Sequence, residues 1–189
     1  MQIIEAIPPP FDLSEFETQI RDSSNFNFAC PFYRYENANP ASPRGARAFL
    51  EAIIATPELH AELRRTFATY YGETFEISPL EPHAEFEPAG DHLEDFFASA
   101  SRDRAGAYSR SLASALESEK EEVRTLFSFL GEYRVFELTG RKRPGCPTCA
   151  DWRGYFFSNW FHCVAWDWCF LVVWPAAKVC ALVCATDTD

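Results

Sequence analysis

Glycine is scarce in this sequence, with eight in 189 residues. That leaves little material for a loop that cradles phosphates, and neither a Gly-x-Gly-x-x-Gly fingerprint nor a P-loop is present. No Gly-x-Ser-x-Gly elbow occurs, so the exposed nucleophile of the hydrolases has no counterpart here. No uninterrupted apolar run reaches the roughly 18 residues that a membrane helix needs. The longest candidate, Phe161 to Leu182, is broken by Asp167, Pro175 and Lys178. Met1-Gln2-Ile3-Ile4-Glu5 lacks the basic, apolar and small-residue pattern of a secretion signal. Seven cysteines without such a signal are expected to be reduced thiols in a cytosol, and the odd count argues against a closed disulfide framework.

Positive charge is also short. The formal net charge is −11. Residues 1–130 carry 22 acidic and 11 basic side chains, whereas residues 131–189 carry six of each. The first part is therefore the acidic part. Such a surface repels phosphate backbones, which disfavours direct nucleic-acid binding, and it attracts a basic protein partner. The plainer alternative is that the acidity keeps the protein in solution.

What the sequence has in abundance lies near its end. All five tryptophans fall between Trp152 and Trp174, and six of the seven cysteines lie at or beyond Cys146. The run from Phe161 to Trp174 is rich in aromatic and β-branched residues, which predicts a buried strand or strand pair. Pro175-Ala176-Ala177 breaks it, and Lys178 to Thr186 reads as the returning strand. This hairpin is expected at the centre of the sheet. Tyr133 to Leu138 alternates as a strand, and Trp152 to Trp160 adds another.

Upstream, helical signals dominate. Ser14-x-x-Glu17 is a capping box opening a helix to about Asp22. Ser42-Pro43 starts a helix with the stripe Phe49, Leu50, Ile53 and Ile54. Thr56-Pro57 repeats that signal before Leu59, Leu63, Phe67 and Tyr70, and Gly72 ends the helix. Asp91 caps a short helix carrying Leu93, Phe96 and Phe97. A long helical period runs from Asp103 to Leu130 and stops at Gly131. Met1 to Pro10 reads as an extended lead, Ser23 to Pro40 as a loop or irregular strand, and Pro79 to Gly90 as a Pro-rich loop. Segregated elements of this kind predict one α+β domain over 1–189. Its N-terminal helices (1–130) would pack on one face of a C-terminal antiparallel sheet (131–189) of about four strands.

Two constellations could carry chemistry. Cys146-Pro147-Thr148-Cys149 is a C-x-x-C pair on a Gly/Pro-rich loop, able to aim two sulfurs at one zinc ion. His162 is the nearest further ligand, with Cys163 and Cys169 as others. His162 and Cys163 point to opposite faces of a strand, so only one could join. Two loop thiols with no ligand are the favoured alternative. A metal-binding or thiol-dependent enzyme built on this loop is the second functional reading. The other constellation is the run His83-Ala84-Glu85-Phe86-Glu87. It has the His-x-Glu form of an iron site, but no distant histidine is marked to complete it, and a solvated acidic loop is the better reading.

For binding, the acidic stretch Glu81, Glu85, Glu87, Asp91, Glu94 and Asp95 is the natural contact for a basic protein. Asp167, between Trp166 and Trp168, is either a paired sheet residue or an anchor beside large aromatics. The block from Trp160-Phe161 through Ala165-Trp166-Asp167-Trp168-Cys169 to Thr186-Asp187-Thr188-Asp189 looks like small bacterial proteins. In general character it is similar to the acidic α+β immunity proteins that accompany secreted polymorphic toxins. The resemblance covers about the last third of the chain and fixes no individual functional residue. It implies an intracellular, cytoplasmic inhibitor that plugs the active site of a toxin, often a basic nuclease. No membrane partner, catalytic residue or cofactor is expected on this reading.

Overall fold

The computed structural model describes residues 3–23, 26–66, 76–82, 84–102, 117–140, 157 and 168–187. In chain order the elements are β1 (Ile3–Ile7), α1 (Ser14–Ser23), β2 (Phe26–Ala29), β3 (Phe32–Glu36), α2 (Pro43–Ala55) and α3 (Pro57–Thr66). They continue with β4 (Ala84–Pro88), α4 (His92–Arg102), α5 (Glu117–Phe127), β5 (Arg134–Gly140), β6 (Trp168–Trp174) and β7 (Val179–Asp187). The architecture is α+β with an antiparallel sheet in the order β1-β3-β7-β6-β5-β4, and β2 also pairs with β7.

Among the described residues the sheet has seven strands, not about four. The additional ones come from the stretches read as an extended lead (β1), a loop or irregular strand (β2 and β3) and a Pro-rich loop (β4). Each is four or five residues long, too short to sustain an alternation. β2 and β3 share one register on β7. It runs from Phe26↔Asp187 to Ala29↔Cys184 and resumes at Phe32↔Ala181. Pro31 lies between them. The Leu182 N–H donates to the Pro31 carbonyl at 3.0 Å, but Pro31 has no N–H to return. The proline interrupts the ladder without shifting it.

The β6–β7 hairpin lies in the middle of the sheet, with Trp174 opposite Val179 and Trp168 opposite Ala185. Lys178, at a φ of 52°, closes its turn. Every residue of β6 is buried. Alternate residues serve two different cores. Cys169, Leu171 and Val173 pack with Phe49, Leu50 and Ile53 of α2 and Leu59 and Leu63 of α3. Trp168, Phe170, Val172 and Trp174 pack with Leu93, Phe96 and Phe97 of α4 and Val123 and Phe127 of α5, beside Leu13 at the start of α1. Helices therefore cover both faces of the sheet, not one. A strand buried on both sides loses its polar alternation and reads as a continuous apolar run, which is what β6 shows.

Helix starts follow local chemistry with one difference from expectation. Ser42 Oγ accepts from the Gly45 N–H at 3.2 Å, and Pro43 occupies the first turn of α2. Thr56 serves two helices: its carbonyl accepts from the His60 N–H at 2.7 Å as α3 begins at Pro57, while its hydroxyl donates to the Ala52 carbonyl at 2.7 Å and closes α2. At α1, Asp12 Oδ1 accepts from the Ser14 N–H at 2.8 Å. Of the long period from Asp103 to Leu130, the described part is α5 and the 3₁₀ turn Ser128–Leu130, which Gly131 ends at a φ of 96°. The expected strand Trp152 to Trp160, the expected strand residues 161–167, and the positions Phe67, Tyr70 and Gly72 lie outside the described residues or, for Phe157, outside any strand.

Candidate partner-binding face

β4 leads into α4 through a turn in which Gly90 takes a φ of 56°. The Ala89 N–H donates to the Val135 carbonyl at 3.0 Å, extending the β4–β5 pairing, and the Asp95 N–H donates to the Asp91 carbonyl at 2.9 Å as the helix begins. This turn sets the first residues of α4 against β5 and α5.

The carboxylates of the stretch separate into two groups. Glu94 and Asp95 are buried, at 5% and 8% exposure. The Tyr133 hydroxyl donates to Glu94 Oε1 at 2.8 Å, and Lys120 Nζ lies 2.5 Å from Asp95 Oδ1. Burial, then the bond to Glu94, pushes the Tyr133 phenol well above its ordinary range. The bond to Asp95 raises Lys120. Glu94 and Asp95 therefore fasten α4 to β5 and α5 and are taken out of the set a partner could meet directly.

Glu85, Glu87 and Asp91 are exposed, and Glu81 is half-buried. Glu87 stands directly opposite Glu137 in the β4–β5 pair. Like charges in that relation repel. Glu137 is buried, and the imidazole Nδ1–H of His92 donates to its Oε2 at 2.7 Å. A carboxylate offers no proton to that contact, so Nδ1 carries it. His92 thus gives buried Glu137 a hydrogen-bond partner, while Glu87 stands at the surface.

α5 adds to the same side. Arg124 gathers Glu117 at 2.5 Å, Glu121 at 3.3 Å and Asp91 at 3.5 Å. Its guanidinium holds Glu117 below the usual carboxylate range. Glu117 and Glu121 are exposed. The face therefore presents Glu85, Glu87, Asp91, Glu117 and Glu121, with Arg124 as the bridging cation. Glu117 and Glu121 were not legible as site residues, although the run Glu117-Ser118-Glu119-Lys120-Glu121-Glu122 carried the signal. Nothing in the sequence paired Tyr133 with Glu94 or Lys120 with Asp95.

Among the described residues β4 is an edge strand, and its outer backbone is partly closed. Arg47 of α2 donates to the Ala84 and Glu81 carbonyls, and Pro88 has no N–H to offer. This edge meets its surroundings mainly through side chains.

The zinc candidates Cys146, Cys149 and His162, together with His83, Cys163 and Asp167, lie outside the described residues. Cys169 is buried in the core under α2 and α3, with its Sγ 3.6 Å from that of Cys184. Arg134 of β5 donates to the Ala41 carbonyl at 2.9 Å. Among the described residues no group of three His, Cys, Asp or Glu is placed to hold a metal ion. No described helix is long and apolar enough to cross a membrane. Neither the protein-family models nor the curated proteins contain a match to this chain.

Proposed function

We propose that this protein acts by binding another protein, most concretely as an immunity-type inhibitor that covers the active site of a basic toxin such as a nuclease. The observation that supports it is the gathering of Glu85, Glu87, Asp91, Glu117 and Glu121 on one side, over a layer in which buried Asp95, Glu94 and Glu137 are held by Lys120, Tyr133 and His92. Carboxylates carried on a strand and a pinned helix lose little further freedom on binding, which favours affinity. In a basic cleft they would stand where substrate phosphates stand. Opposite charge across the contact speeds the encounter, and salt screens it.

The test is association kinetics with the basic partner recovered by tagged pull-down from the native host. The double variant Glu85→Lys/Glu87→Lys should keep the fold and lower the association rate at least about tenfold at low salt. The wild-type rate should fall as salt rises. An association rate indifferent to both changes would remove the occlusion mechanism.

A further inference from the structure

The sheet is incomplete at its β1 edge. β1 pairs with β3 from Ile3↔Glu36 to Ile7↔Phe32. Continued, that register would set Pro9 opposite Cys30 and Phe11 opposite Phe28. The chain leaves instead. Pro9 has no N–H to pair, and the Phe11 ring packs against Phe32, Phe127 and Trp174. Among the described residues, β2 consequently has β7 on one side and no strand on the other.

The backbone direction follows from alternation. Pro31 and Tyr35 turn their polar groups toward β7: the Leu182 N–H donates to the Pro31 carbonyl at 3.0 Å, and the Tyr35 N–H donates to the Lys178 carbonyl at 3.0 Å. Residues of the opposite parity, Phe28 and Cys30, therefore turn their N–H and C=O groups away from β7. They face a cleft of about 580 Å³, a volume typical of ligand pockets. Pro8 and Pro9 close one end. Glu17 of α1 forms one wall, and Glu62, Arg65 and Thr66 of α3 form the other. Arg65 grips Glu62 through two bonds, at 2.6 and 3.0 Å. Among the described residues, Glu17 is left as the wall carboxylate open to an incoming cation.

We propose that this cleft binds an extended peptide segment of another protein, which adds to β2 in the line that β1 abandons at Pro8 and places a basic side chain against Glu17. Main-chain bonds to Phe28 and Cys30 supply the affinity, and the two walls read alternate side chains. The site lies at the opposite edge of the sheet from β4, so it stands whether or not the acidic face is used.

Residue-resolved amide hydrogen exchange tests it, with acetyl-Val-Lys-Val-Lys-Val-amide as the probe. In the free protein the Phe28 and Cys30 amides should exchange at least about tenfold faster than those of Ala29 and Tyr33. Saturating peptide should slow Phe28 and Cys30 at least about tenfold. Methylating the peptide nitrogens that face β2 should abolish the protection, and Glu17→Gln should weaken binding at least about threefold without changing the free-protein exchange pattern. The proposal is overturned if Phe28 and Cys30 are already as protected as Ala29. It is equally overturned if the peptide fails to bind at millimolar concentration, leaves those two amides unchanged, or binds as well when methylated.

Discussion

The indole N–H of Trp174 donates to the Phe127 carbonyl at 2.6 Å, and the two rings lie nearly parallel, 6° apart, with centroids separated by 6.1 Å. That one pair ties the central strand to the end of α5. It also brings an indole donor to the buried Phe127 carbonyl at the junction of α5 and the 3₁₀ turn. Trp174→Phe would keep an aromatic ring and remove the donor. The expected loss is about 2–4 kcal/mol from the lost hydrogen bond and the vacated volume. A urea melt measures it, and a change below about 0.5 kcal/mol would show that the bond contributes nothing net.

Gly45 sits in the first turn of α2, where alanine ordinarily stabilises a helix. Here a Cβ would run into the carbonyl of Asn39. Gly45→Ala is expected to destabilise by about 1–3 kcal/mol, the reverse of the propensity effect. Ser42→Ala, which removes only the cap, should cost about 1 kcal/mol. Thermal melts of the two variants separate the steric cause from the capping one.

His92→Leu should leave buried Glu137 without its imidazole donor and directly across from Glu87. A loss of about 1–3 kcal/mol is expected. The double variant with Glu87→Gln should recover part of that loss, because the cross-strand repulsion disappears. A double-mutant cycle by chemical denaturation measures the recovery, and strict additivity would show that His92 does not moderate the repulsion between Glu87 and Glu137.

Alkaline pH should unfold the protein by a definable route. Tyr133, half-buried and bonded to Glu94, and Lys120, bonded to Asp95, both hold their protons more tightly when folded, and burial does the same to Tyr33. The unfolded chain releases these protons first, near about pH 10. Stability is therefore fully present below that pH and falls as pH rises beyond it. Urea midpoints measured from about pH 8 to about pH 11 should decline, and Tyr133→Phe should make the decline shallower. A midpoint flat through that interval would contradict the assignment.

Burial pushes the thiols of Cys30, Cys180 and Cys184 upward, so little thiolate forms at neutral pH. Maleimide labelling of Cys180 and Cys184 in the native protein should be at least about a hundredfold slower than in urea. Mass mapping that found them labelled at the unfolded rate would place them outside the core.

The hairpin was legible because its signal is local. Twelve of the fourteen positions from Trp168 to Trp174 and Val179 to Ala185 are aromatic, aliphatic or cysteine residues other than alanine and glycine, and Pro175 marks the turn. Ser42-Pro43 and Gly131 announced a helix start and stop through backbone chemistry that any surroundings would respect. β1 and β4 were not legible, since five residues beside prolines carry no usable period and become strands only when a neighbour offers a ladder. The acidic stretch was visible as composition, but its division into exposed Glu85, Glu87 and Asp91 and buried Glu94 and Asp95 was not.

By itself, the sequence determined the α+β class, the central hairpin, the helix start at Ser42 and the uneven distribution of charge, all of which follow from residue type and short-range spacing. Only the tertiary structure decided the seven strands, the covering of both sheet faces, the bonds from Tyr133 and Lys120 into α4, and the cleft beside β2. Those features depend on contacts between residues far apart in the chain. Glu94 and Tyr133, separated by 39 positions, meet only because β4 and β5 pair and carry α4 back across them.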